Sequence, residues 1–318
     1  MKKILFLATG GTIACEKTSE GLTPNFSSEE LLSHIPSVRE KCIVAAEQPF
    51  SLDSTNMSPR EWTALAETIR SRYDEFDGFV IAHGTDTMAY AAAALSCLVQ
   101  NSRKPIMITG SQHPMSTPES DAPRNLRDAF LCALDERLHG VCVVFGGRII
   151  DGRCAEKVDT NDYDAFRSIN RGDIGGVSAD GKITAECADY VGEPVFYDKM
   201  DTRISAAKLI PGVPLKVCAD GARAVIIEGF GTGGFPDYGV AETSREVSRL
   251  AAEGIYVIMT TQVTSGGTEL SRYKVGSAVH GVLEAGKMTR GMCAMKTMWA
   301  LAYSGDRSEF EKLFNGQI

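Results

Sequence analysis

KILFLATGGTI, Lys3 to Ile13, decides the fold. Ile4 to Ala8 is a short unbroken apolar run, the pattern of a strand buried on both faces of a sheet. Gly10 and Gly11 then let the chain turn sharply, which leaves Thr9 and Thr12 at the C-terminal edge of that strand. Open α/β sheets bind ligands along that edge. The run is shorter than the roughly 7–15 apolar residues of a signal-peptide core, so it reads as a first strand and not as an export signal.

The same pattern recurs outward from this segment in FVIA (Phe79–Ala82), IMIT (Ile106–Thr109) and VCVVF (Val141–Phe145), with amphipathic segments between them. Ahead of FVIA, Ser58, Pro59 and Glu61 hold the N-cap, first-turn and capping-box positions of a helix. Trp62, Leu65, Ala66 and Ile69 follow at i, i+3, i+4 and i+7 and give that helix one apolar face. Further helices are predicted at 28–34, 86–99 and 122–138. Strands alternating with helices predict a mostly parallel, doubly wound sheet covered on both faces. Pro211, Gly212, Pro214 and Gly221 then interrupt the chain, and AVIIE, IYVIMT and a helical stretch at 292–303 form a second series. The expected organisation is α/β throughout: a larger N-terminal catalytic domain over 1–190, a linker at 191–210, and a smaller Rossmann-like C-terminal domain over 211–318.

Composition narrows the function. A chain of 318 residues with 43% hydrophobic content can bury a large core. Its formal net charge of -8 gives no global attraction to nucleic acid or to an anionic membrane. No later stretch approaches the roughly 18 consecutive apolar residues of a membrane span. The 9 cysteines are scattered, odd in number and without a CxxC pair, as expected of reduced thiols in a cytoplasmic protein. His34, His83, His113, His139 and His280 form no HxxxH or HxxH pair, and no metal site is expected. A small polar substrate is the remaining expectation.

A second strand ends in the manner of the first, at HGTDTM (His83–Met88), so a second hydroxyl-bearing loop stands at the same sheet edge. Asp86 lies near a helix N-terminus, where the macrodipole favours a carboxylate, and Thr85 with Asp86 would also serve as simple caps.

TGGTI and HGTDTM together resemble the two signatures of the bacterial-type asparaginase family, in its cytoplasmic, type I-like branch. The resemblance continues through DSTNM (Asp53–Met57), TGSQ (Thr109–Gln112), GRCAEKVDTNDYDAF (Gly152–Phe166) and GFGTGG (Gly229–Gly234), and so covers essentially the whole chain. It implies an L-asparaginase that hydrolyses L-asparagine to L-aspartate and ammonia through a threonine acyl-enzyme, with no cofactor. By the same resemblance Thr12 is the nucleophile, and Thr85, Asp86 and Lys157 form a second catalytic group around the hydrolytic water. Asp86 also takes the substrate α-ammonium, and Ser54 and Thr55 take its α-carboxylate. A threonine hydroxyl is a weak nucleophile and needs a proton acceptor and donors for the developing oxyanion; which group accepts the Thr12 proton stays open. A homodimer or homotetramer with active sites near subunit contacts is implied as well. Asparagine and glutamine differ by one methylene, worth about 1–3 kcal/mol of discrimination, so side activity on L-glutamine is expected.

Three features depart from the family pattern. The lid Glu20, Gly21, Leu22, Thr23, Pro24 carries leucine where many members have a tyrosine bonded to the nucleophile. Tyr273, in ELSRYKVG, stands where some members bring in a second-domain tyrosine, and either it takes over the phenol's role or it packs between domains. Glu156 replaces a threonine tied to effector binding in some members. Two rival functions share parts of the pattern. The asparaginase-like component of a tRNA-dependent amidotransferase uses the same threonine machinery to supply ammonia, but carries a further domain ahead of TGGTI, for which Thr9 leaves no room. Gly229 to Gly234 fits GxGxxG after a strand, with Glu253 farther on, as a dinucleotide-binding oxidoreductase requires, but Pro236 and Gly239 delay the helix that should open on those glycines.

Overall fold

A computed structural model describes residues 1–18, 21–24, 26–186, 192–237, 242–272 and 281–318. The chain divides into two compact units, 1–198 with Ile318, and 199–317.

In the first unit, β1 (Lys3–Ala8) is followed by the hairpin β2 (Cys15–Thr18) and β3 (Gly21–Pro24), helix α1 (Ser28–Ser33) and β4 (Ile43–Glu47). Next come α2 (Pro59–Arg72), β5 (Gly78–Ala82), α3 (Met88–Leu98), the short β6 (Val99–Gln100), β7 (Pro105–Thr109), α4 (Ala122–Ala133) and β8 (Gly140–Phe145). Short strands complete the unit: β9 (Arg148–Asp151), β10 (Ala155–Lys157), β11 (Phe166–Ser168), β12 (Gly175–Val177), β13 (Ile183–Ala185) and β14 (Val195–Phe196). The main sheet runs β13-β12-β9-β8-β7-β5-β1-β4. From β8 to β4 it is parallel, as the unbroken apolar runs require. Gly146 and Gly147, at φ 58 and 80, then fold β9 back as a hairpin, and β9, β12 and β13 extend the sheet antiparallel.

Alternation sorts the strand side chains to two faces. Ile4, Phe6, Ala8, Val80, Ala82 and Met107 form one core with α1 and α4. Phe79 points to the other face, where Tyr73 stacks on it at 6.0 Å. There α3 lies against β7 and β8 with every residue buried except Tyr90; its alanines let the helix axis approach the sheet closely. Helix α4 stops at Ala133, short of the expected 138, because Leu134 to Leu138 fold into successive turns while their apolar side chains continue the core. Helix α3 starts at Met88, leaving Thr85 to Thr87 in a turn.

In the second unit β15 (Ile204–Lys208), β16 (Ala224–Gly229), β17 (Tyr256–Thr261) and β18 (Val282–Glu284) form a parallel sheet in that order. Helices α5 (Thr243–Ala252), α6 (Arg290–Tyr303) and α7 (Arg307–Asn315) accompany it, and Val225, Ile227, Val257 and Met259 pack with Val247 and Leu250 of α5. β15 lies inside the 191–210 stretch read as linker. Its small and charged residues, ISAAK, are half-exposed at a sheet edge and carry no apolar run to mark a strand.

Candidate active site

Registration of the sheet assembles the site. Ala8 of β1 pairs with Ala82 of β5, and Ala82 with Thr109 of β7, so three strands end level and their loops emerge side by side. The loops then touch through glycine. Gly10 (φ 100) and Gly11 (φ 78) take conformations that L side chains rarely adopt. A Cβ on Gly11 would stand 2.3 Å from the Gly84 Cα, one on Gly84 would stand 2.6 Å from Ser54 Oγ, and one on Gly110 would stand 2.3 Å from the His83 carbonyl oxygen. The turns TGGT, HGTD and TGSQ are thus packed backbone on backbone, and the Ser54 side chain of DSTN seats on Gly84.

Thr12 opens a single 3-10 turn, Thr12–Ala14, and is half-buried. Its hydroxyl makes no hydrogen bond to another described residue. Thr85 is buried, and Lys157, reaching across from β10, donates to Thr85 Oγ1 at 2.9 Å and to Asp86 Oδ1 at 2.7 Å. The Lys157 side chain is 16% exposed and that of Asp86 58%, so the carboxylate keeps a face open to an incoming cation while the ammonium is enclosed. Neither Thr85 nor Asp86 caps α3. The N-cap is Thr87, which makes no side-chain cap bond and instead donates to the Ser54 carbonyl at 2.7 Å.

Ser54 is 2% exposed and opens a 3-10 turn whose N-cap is Asp53. Its hydroxyl has no partner among the described residues. Thr55 differs, because its N–H and its hydroxyl both donate to Asp53 Oδ1 at 2.9 Å. Of the two residues expected to hold a carboxylate, only Ser54 has its donor unspent. Tyr273 lies outside the described residues, as does the side chain of Leu22.

One participant was not singled out in the sequence. Thr85 donates to Gln112 Oε1 at 3.3 Å, while Gln112 Nε2 donates to the Asp162 carbonyl at 3.1 Å. Buried Asp121 holds this loop by accepting from the N–H groups of Gln112 and His113 at 3.0–3.1 Å and from Asn125 Nδ2 at 3.0 Å. Asp121 stands just before α4 and looks in the sequence like a helix cap, yet its carboxylate makes no cap bond. The spacing offered no means of separating the two uses.

Cys15, beside the glycine turn, donates its thiol proton to the Gly11 carbonyl at 3.2 Å, and burial, then the nearby Asp53 charge, push its pKa up. It is held as a neutral thiol and does not compete as a nucleophile. Among the described residues no three His, Cys, Asp or Glu side chains cluster as metal ligands would. In the second unit the Gly229–Gly234 turn follows β16, but α5 opens only at Thr243, so no helix N-terminus stands on those glycines.

A hydroxyl turn packed against a lysine–carboxylate pair, at the C-terminal edge of a parallel sheet, is the layout of an α/β amidohydrolase that works with side-chain hydroxyls. The chain belongs to the asparaginase family: the asparaginase N-terminal domain matches residues 3–188 and the glutaminase/asparaginase C-terminal domain matches 204–314. It is 37% identical over 330 residues to an L-asparaginase of Thermococcus kodakarensis, spanning 99% of this chain and 98% of that one. The solved structure of the thermostable L-asparaginase from the same organism superimposes with a TM-score of 0.92 at 36% identity, covering 99% of this chain and 97% of that one. A glutamyl-tRNA(Gln) amidotransferase chain of Pyrococcus furiosus is 33% identical over 330 residues, 98% of this chain but 74% of that one. The end-to-end match is thus to the hydrolase. The second family model also covers Gly229–Gly234.

Proposed function

We propose that the protein hydrolyses L-asparagine to L-aspartate and ammonia through an ester on Thr12, with slower turnover of L-glutamine. The observation that carries this reading is the bridging of Thr85 and Asp86 by Lys157, at 2.9 and 2.7 Å, on a loop in backbone contact with the turn that presents Thr12. The exposed face of Asp86 takes the substrate α-ammonium, and the Ser54 hydroxyl, without a partner among the described residues, donates to the α-carboxylate. Holding both charged ends aims the side-chain amide at Thr12, a positioning effect that lowers barriers by as much as about 7–11 kcal/mol in well-oriented cases.

Thr12 Oγ attacks the amide carbon, its proton passes to the departing nitrogen, and ammonia leaves an aspartyl ester. Two amides supply oxyanion donors: the N–H of Thr12, first residue of its turn, and the N–H of Thr85 have no protein acceptor among the described residues. Water then attacks the ester. Lys157, Thr85 and Asp86 relay its proton back to Thr12 and aspartate is released. The Thr85 hydroxyl accepts from Lys157 and donates to Gln112, so its rotor is set before substrate arrives.

Tyr273 takes the part of the lid phenol that Leu22 lacks, from the same chain or a neighbouring subunit; a Tyr273→Phe enzyme within about twofold of wild type would end that assignment. The protein acts in the cytoplasm as a homodimer or homotetramer, which light scattering tests directly; among the described residues no helix is long and apolar enough to cross a membrane. Ammonia release from asparagine and glutamine is the deciding assay. Turnover of asparagine above glutamine is expected, and no ammonia from either would overturn the reading.

A further inference from the structure

We propose that His83 is a positioning residue for this reaction: its ring locks the Gly84–Thr85 peptide so that the Thr85 N–H faces the substrate carbonyl. The proposal rests on the hydrolytic reading above.

Gly84 must be glycine, because any Cβ there would collide with Ser54 Oγ at 2.6 Å and crowd the Gly11 Cα at 3.1 Å. Glycine leaves its flanking peptides free to rotate, since no side chain restricts them. A site that takes an oxyanion donor from the next N–H therefore needs another restraint on that peptide. His83 supplies one. It follows β5 directly, is wholly buried, donates its own N–H to the Thr109 carbonyl at 2.8 Å, and has its carbonyl pressed against Gly110. From that fixed base the ring places Nδ1 2.8 Å from the Gly84 carbonyl oxygen. A carbonyl oxygen can only accept, so Nδ1 carries the proton.

In a trans peptide the C=O and N–H point in opposite directions. Tying the Gly84 carbonyl to His83 therefore turns the Thr85 N–H to the side away from the ring, where no described residue accepts it. The other ring nitrogen, Nε2, is buried with no partner among the described residues. Leaving a buried acceptor unpaired is unfavourable, and an apolar side chain would fill the space without that loss. What the imidazole adds over an apolar ring is the single bond to Gly84. Burial also pushes the His83 pKa down to about 4, so at neutral pH the ring has one proton and the Gly84 carbonyl fixes it on Nδ1.

Steady-state kinetics on asparagine with His83→Leu and His83→Asn, alongside thermal melts, test the proposal. Losing one oxyanion donor typically costs about 10²–10³ in kcat, and freeing its peptide should cost about 10-fold to 10²-fold. His83→Leu should show that fall in kcat with KM within about threefold, because Asp86 and Ser54 still bind the charged ends. His83→Asn, whose Nδ2–H overlays Nδ1–H, should recover most of the rate. A leucine variant within about twofold of wild type, or an asparagine variant no faster than leucine, overturns the proposal. Should leucine prevent folding, asparagine is compared with His83→Gln, which places its N–H beyond Gly84; equal kcat for those two overturns it as well. A wild-type protein that releases no ammonia defeats the hydrolytic reading instead, which keeps the two failures apart.

Discussion

Replacing Lys157 with methionine separates stability from catalysis. Methionine keeps much of the aliphatic stem and removes the ammonium that donates to Thr85 Oγ1 at 2.9 Å and Asp86 Oδ1 at 2.7 Å. Asp86 is 58% exposed, so water screens the pair, and its loss should cost at most about 1 kcal/mol of stability. The effect on rate should be much larger. A positioned proton carrier contributes about 10²–10⁴-fold, equivalent to roughly 3–5 kcal/mol of barrier. Substrate binding should hold or tighten, because the Asp86 carboxylate proposed to meet the α-ammonium loses its competing cation. The assay is kcat and KM for asparagine at neutral pH with a melting curve on the same preparation. Normal kcat would refute the assignment of Lys157 to proton transfer. A rate loss matched by a loss of folded protein would show that the ion pair is structural.

Thr12→Ala should abolish ammonia release with an unchanged melting temperature, since it removes one hydroxyl from a half-buried turn; wild-type turnover would end the nucleophile assignment. Gly84→Ala should lower kcat by at least about 10²-fold, because the methyl would stand 2.6 Å from Ser54 Oγ and part the loops, a misplacement of the size that costs that much; a variant as active as wild type would show that the loops are not in contact. Asp201, in the second unit, has its pKa lowered from 3.8 to about 2, first by the Arg203 hydrogen bond and, against desolvation, also by Arg223. A depressed carboxylate stabilises the fold above its unfolded pKa and loses that contribution as pH falls through the folded value. Asp201→Asn should therefore melt lower at neutral pH, by roughly 1–2 kcal/mol, with the gap narrowing as pH falls from about 4 towards 2; a gap as large at pH 2 as at pH 7 would contradict this.

The parallel core of the first unit was legible because strands buried on both faces need unbroken apolar runs, and Ile4–Ala8, Phe79–Ala82, Ile106–Thr109 and Val141–Phe145 all lie in paired strands. Strands outside that core were not. β10 and β11 pair over three residues each, and AEK carries no apolar pattern, yet this hairpin delivers Lys157. Only the resemblance to a known family marked that lysine. Gln112 and Asp121 escaped for a different reason: their roles depend on a loop-to-loop hydrogen bond and on a carboxylate that turns away from its own helix. Neither has a sequence period. Asp86 is expected to open α3, but the helix starts at Met88 and the Asp86 carboxylate accepts from Lys157.

The contact of Gly11 with Gly84 constrains how the enzyme can change. With no side chain between the two turns, the separation of the Gly11 and Gly84 backbones follows from β1–β5 register and their direct contact. Rotamer exchange cannot blur it, and substitutions at neighbouring positions have no lever to adjust it. Efforts to alter substrate range should leave this joint untouched and work on the open side, at Ser54, Thr55 and the hairpin that follows Thr12. Variation there changes what is held, while the approach of the two turns stays that of the parent sheet.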